Sequence, residues 1–140
     1  MNFKKWLESN QTLLQNLESL KPQFAMAAQK VYDDWQEDEY DDYNGGGICQ
    51  DIAEEIATVI NQHMPDVNVG TVSSSCGEQH VFVILHNDLE GYSVDIPYYV
   101  YETGGGYSWK KIKGVKFLAD HISIEKMHYS DAKIALEDPY

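Results

Sequence analysis

Three glycines, Gly45, Gly46 and Gly47, run straight into Ile48-Cys49 and the strongest helical pattern in the chain. Ile52, Ile56, Val59 and Ile60 recur at i, i+4, i+7 and i+8, which is one continuous apolar stripe. Ala53 and Ala57 leave room for close neighbours, and Asp51, Glu54 and Glu55 suit the positive end of a helix dipole. The pattern predicts a helix from about Cys49 to His63, ended by Pro65. A helix with so wide an apolar face is buried, so the rest of the chain must cover it.

The N-terminal third reads as helical. Trp6, Leu7, Leu13, Leu14, Leu17 and Leu20 predict a first helix over 3–20. Pro22 is expected to break it, and Phe24, Ala25, Ala27, Ala28, Val31, Tyr32 and Trp35 predict a second helix stopping near Trp35. Beyond Pro65 the apolar period changes. Val67, Val69 and Thr71 alternate with polar residues, Val81 to Leu85 is an apolar run, and Tyr92, Val94 and Ile96 alternate again. Asn87-Asp88-Leu89-Glu90-Gly91 reads as a hairpin connection, Ile122 to Met127 as a further strand, and Ser130 as the N-cap of a short last helix. Helices first and an antiparallel sheet after make an α+β chain, with a central helix packed on the sheet. At 140 residues, with no linker or repeat, it is expected to be one domain over 1–140.

Charge narrows the partners. Ten lysines and arginines oppose 23 aspartates and glutamates, a formal charge of −13 that repels nucleic acid and anionic membranes and suits basic partners. Seven of the ten residues from Asp33 to Asp42 are acidic. The segment Met1 to Glu8 lacks the apolar core of a signal peptide, and two cysteines make no disulfide scaffold. These features point to a cytoplasmic protein with reduced thiols.

The chemistry-bearing residues then fall in a suggestive order. Cys49 stands at a helix start, where unpaired N–H groups and the dipole favour thiolate. The nearby carboxylates of the acidic run oppose that effect. His80 opens the Val81–Leu85 strand, and Asp95 lies 15 residues on, across a short hairpin, where it can accept the second N–H of the imidazole. Together they predict a Cys–His–Asp site: nucleophile, base and orienting acid. The Cys49 N–H and a donor from the Tyr43–Gly47 loop, with Asn44 and Gly47 in it, suit an oxyanion hole, and Gln50 and Trp109 are further substrate-binding candidates.

Gly-Gly-x-Cys at a helix start, His-Val-x-Val opening a strand and Val-Asp on the next strand resemble the papain-like fold superfamily, in particular its transglutaminase-like and arylamine N-acetyltransferase branches. They are similar, more distantly, to the NlpC/P60 peptidases. The resemblance spans roughly residues 44–97, with the strand near 122–127 fitting the same sheet. It implies acyl transfer through a thioester: hydrolysis, transamidation, deamidation or acetyl transfer. A peptide or amide substrate is expected, and no cofactor. The resemblance departs from the acetyltransferases at Asn44, where they carry arginine, and in length.

Other readings compete. The −13 surface fits a non-enzymatic binding or inhibitor protein on a degenerate papain-like fold that engages a basic partner. Cys49, Cys76, His80 and His63 are a conceivable zinc set, but their spacing is no recognised ligand pattern, and no metal is assigned. The loop Gly104-Gly105-Gly106 lacks a phosphate-loop context and reads as a turn or pocket rim among Tyr98, Tyr99, Tyr101, Tyr107 and Trp109.

Overall fold

A computed structural model describes residues 12–37, 47–73, 80–103 and 110–137. Helix α1 spans Leu13–Glu37 and α2 spans Gly47–His63. Next come strands β1 (Asn68–Ser73), β2 (Val81–His86) and β3 (Gly91–Asp95), then the short pair β4 (Glu102–Thr103) and β5 (Lys110–Lys111), then β6 (Ser123–Met127) and helix α3 (Tyr129–Glu137). The order is α+β. Strands β1, β2, β3 and β6 form a four-stranded antiparallel sheet in that order, and β4 and β5 form a separate hairpin pair.

The first expectation to fall is the break at Pro22. Helix α1 runs through it without interruption. Leu13, Leu17, Leu20, Phe24, Ala28, Tyr32 and Trp35 are all buried and continue one stripe across the proline. Interior proline costs a helix about 3 kcal/mol. Burial of a single large apolar side chain recovers about 1.5–3 kcal/mol, so the stripe as a whole outweighs the lost hydrogen bond. The described helix starts at Leu13. Thr12 Oγ accepts the N–H of Gln15 at 3.1 Å, and Gln15 Oε1 accepts the N–H of Thr12 at 2.9 Å. This reciprocal capping box fixes the first turn at Leu13. Residues 3–11 of the expected first helix lie outside the described residues. At its other end α1 passes Trp35 and closes at Glu37, despite the acids of that turn.

Helix α2 forms as its stripe requires, two residues earlier than expected. Ile48, Cys49, Ile52, Ala53, Ile56 and Ile60 are buried, while Gln50, Asp51, Glu54 and Glu55 face outward. It lies between α1 and the sheet, packing on β1 and β2. Alternation divides the sheet residues between two faces. Val83, Leu85, Tyr92, Val94 and Ile96 join the helices in the main core, and Val72 and Ile84 join a second, smaller core under α3 with Ala132. The sheet is therefore covered on both sides.

Asn87 makes the hairpin. Its Oδ1 accepts the N–H groups of Leu89 at 2.8 Å and Glu90 at 2.7 Å, and its own N–H donates to Glu90 O at 3.0 Å. The long connection from β3 to β6 is tied to α1 by two side chains. Gln29 donates to Val115 O at 3.1 Å and accepts the Phe117 N–H at 2.8 Å. Tyr32 donates to Ile112 O and accepts the Val115 N–H. Helix α3 is capped differently from expectation. Ser130 sits inside it, and the imidazole Nδ1 of His128 accepts the Ser130 N–H at 3.2 Å. Among the described residues no helix is long and apolar enough to cross a membrane.

Candidate active site

Three elements converge on one imidazole. Cys49 lies in the first turn of α2, on the buried side, because it shares the stripe of Ile52, Ala53 and Ile56 at i+3, i+4 and i+7. His80 immediately precedes β2, and Asp95 ends β3. The two strands pair antiparallel from Val83↔Val94 to His86↔Gly91. The four-residue turn at Asn87 sets that register, and the register brings residues 15 apart together at the open end of the hairpin.

His80 Nε2 lies 2.8 Å from Asp95 Oδ1 and 3.0 Å from Oδ2, so the ring N–H donates to the carboxylate. The pair is mostly enclosed, with 17% of the His80 side chain and 28% of that of Asp95 exposed. His80 is also hydrogen-bonded to the Cys49 side chain. Burial pulls the His80 pKa down, but hydrogen bonds to Asp95 and Cys49, with the negative charge of both, outweigh it and raise it from 6.5 to about 10. The imidazole is thus held as a cation between two acidic partners at neutral pH.

Aromatic rings border the imidazole. Phe82 stacks on it at 6.3 Å between centroids and 20° between planes, and Tyr98 meets it edge-on at 6.4 Å and 66°. Cys49, Ile52, Ala53, Ile56, Val81, Phe82, Val94, Asp95, Ile96 and Tyr101 line a narrow crevice between α2 and the hairpin.

The remaining sequence candidates divide. Gly47 is the first residue of α2. Gln50 is exposed, and its amide donates to Glu54 Oε1 at 3.1 Å, one turn along the helix. Tyr43, Asn44, Trp109, Cys76, the loop 104–106 and the acidic residues 38–42 lie outside the described residues. His63 does not join a zinc set with Cys49. It sits at the other end of α2, 14 residues away and hence about 21 Å along the axis. Its ring bonds Val59 O at 3.0 Å. Phe82 and Tyr98 were not singled out as neighbours of His80 by sequence. Phe82 shares His80's strand parity at i+2, and Tyr98 stands three residues after Asp95, so both were within reach of a register argument.

Comparison of the chain with protein-family models, with curated proteins and with solved structures gave no match in any of the three.

Proposed function

We propose that the protein is a small cysteine-dependent acyl-transfer enzyme on a papain-like, transglutaminase-like core, acting on an amide as peptidase, amidase or deamidase. The observation that carries this reading is the single imidazole bonded to Asp95 and acted on by Cys49. A structural histidine has no need of two acidic partners, one of them a thiol at a helix start. The order of elements agrees with the reading: a cysteine-bearing helix, then antiparallel strands carrying histidine and aspartate.

On this reading the steps follow from the roles of the three residues. With Cys49 as thiolate and His80 as imidazolium, the sulfur attacks the carbonyl carbon and forms a C–S bond. Charge then develops on the carbonyl oxygen, near the N–H groups that the first turn of a helix leaves unused by intrahelical bonding. The C–N bond breaks as His80 hands its proton to the departing nitrogen, giving an amine and a thioester on Cys49. Water enters, loses a proton to the now neutral His80 and attacks the thioester. The C–S bond breaks, the acid leaves, and the thiolate–imidazolium pair is restored. Asp95 holds the ring and its charge throughout.

The reading is tested with p-nitrophenyl acetate, a small activated ester, and intact-protein and peptide mass spectrometry of the product. One acetyl group is expected on Cys49, absent in Cys49→Ala and formed roughly 10²–10⁴-fold more slowly in His80→Gln. Acetylation elsewhere with Cys49 untouched, or an undiminished rate in His80→Gln, would reject it.

A further inference from the structure

His80 must deliver its proton to the departing group, so that group has to lie within hydrogen-bond reach of the imidazole. Side chains in ring contact with His80 therefore border the leaving-group side of the site. Tyr98 touches His80 edge-on, and Tyr99 in turn meets Tyr98 edge-on at 6.1 Å and 73°. Both sit in the short 3₁₀ turn Tyr98–Val100, directly after Pro97. Tyr98 is half-buried, and Tyr99 is 68% exposed, a large ring held at the surface with most of its area open to solvent. The three rings step from the base out to the surface.

Two electrostatic features act on whatever lies on those rings. The Asp95 carboxylate lies 2.8 Å from the imidazole at the inner end of that row of rings. The whole chain carries −13, which draws cations and repels anions at a distance. Tyrosine faces are themselves attractive to cations.

We infer that Tyr98 and Tyr99 form the leaving-group subsite and that the group it takes is cationic, an alkylammonium or guanidinium. This rests on the acyl-transfer reading of the same site. Its preferred substrates are then amides whose amine half carries such a cation a few bonds from the scissile nitrogen. The rings supply recognition and no proton, so a phenylalanine serves where a leucine does not.

Three acetyl donors test it. S-acetylthiocholine has a trimethylammonium leaving group, 3,3-dimethylbutyl thioacetate is its neutral isostere, and S-acetyl-3-mercaptopropionate is anionic. The readout is the rate of acetyl transfer to Cys49 by mass spectrometry. A contact of this kind at an exposed site is expected to favour the cationic donor over its neutral isostere by about two- to fivefold. That ratio falls toward one in Tyr98→Leu/Tyr99→Leu and is kept in Tyr98→Phe/Tyr99→Phe. The anionic donor is slowest. Equal rates for the cationic and neutral donors, or a preference that survives the leucine pair, would overturn the subsite while leaving the acyl-transfer reading in place. Failure of all three donors and of p-nitrophenyl acetate to acetylate Cys49 rejects the parent reading, and the subsite with it.

Discussion

At the scale of the residue, His80 is where the forces on the chain meet. Its burial alone would make it neutral; its two acidic neighbours make it a cation, with a pKa near 10. The sign of the consequence is fixed by linkage. Unfolded, the imidazole returns to its ordinary 6.5, so the native state binds the proton more tightly. The stability this contributes is present in full below about 6.5 and is lost as pH rises through about 10. The urea midpoint of the wild-type protein is therefore expected to fall between pH 7 and 10, and the fall should be smaller in Asp95→Asn, where one of the charges is gone. A midpoint with the same pH dependence in both proteins would contradict that assignment. Acyl transfer should hold through neutral pH and decline only as pH passes about 10, where the folded-state ring loses the proton it hands to the departing nitrogen.

At the scale of the element, what was legible depended on whether the signal was local. The α2 stripe is local and strong, and the helix appears where its period puts it. The Asn87 turn is equally local, since a short side chain satisfies two N–H groups within three residues. The helix through Pro22 was not legible from local rules, because tertiary burial along α1 overrides a local cost. The capping box at Thr12 and Gln15 was readable in the sequence, as a T-x-x-Q start signal directly before an apolar stripe. Helix α3 gives a prediction of its own, because it lies close on the sheet over two glycines. A Cβ at Gly91 would stand 2.9 Å from Ala132 Cβ and 3.3 Å from His128 O, both fixed by helix and backbone. A Cβ at Gly70 would meet only the far end of the Leu136 side chain, also at 2.9 Å. Gly91→Ala is thus expected to destabilise by about 1–3 kcal/mol in urea unfolding, and Gly70→Ala by distinctly less, since a leucine tip can turn aside. Equal losses at the two positions would show that α3 yields as easily as a rotamer does.

At the scale of the whole molecule, the sheet covered on both faces explains how a half-buried ionisable pair is held in place on a small fold. α1, α2 and the inner sheet face share one core, and α3 closes the outer face with another. The hairpin β2–β3 runs between them, so its open end, carrying His80 and Asp95, is held from both sides while reaching the first turn of α2. The sequence was enough to put Asp95 beside His80, because two strands joined by a short turn must be neighbours. The second cover was not legible, because only alternation along paired strands, known once register is fixed, separates Val83 and Leu85 from Ile84. Phe82, by contrast, could have been placed beside His80 from strand parity alone. The charge of −13 acts over this whole body and sets which partners approach, whatever the chemistry at its centre.

The linkage of Cys49, His80 and Asp95 into one charged site is tested most directly by tracking the His80 imidazole through a pH titration by NMR. The ring is expected to stay protonated through neutral pH and to titrate near 10, and to return toward its ordinary value in both Asp95→Asn and Cys49→Ala. A wild-type His80 titrating near 6.5, or one indifferent to the loss of Cys49, would contradict the account.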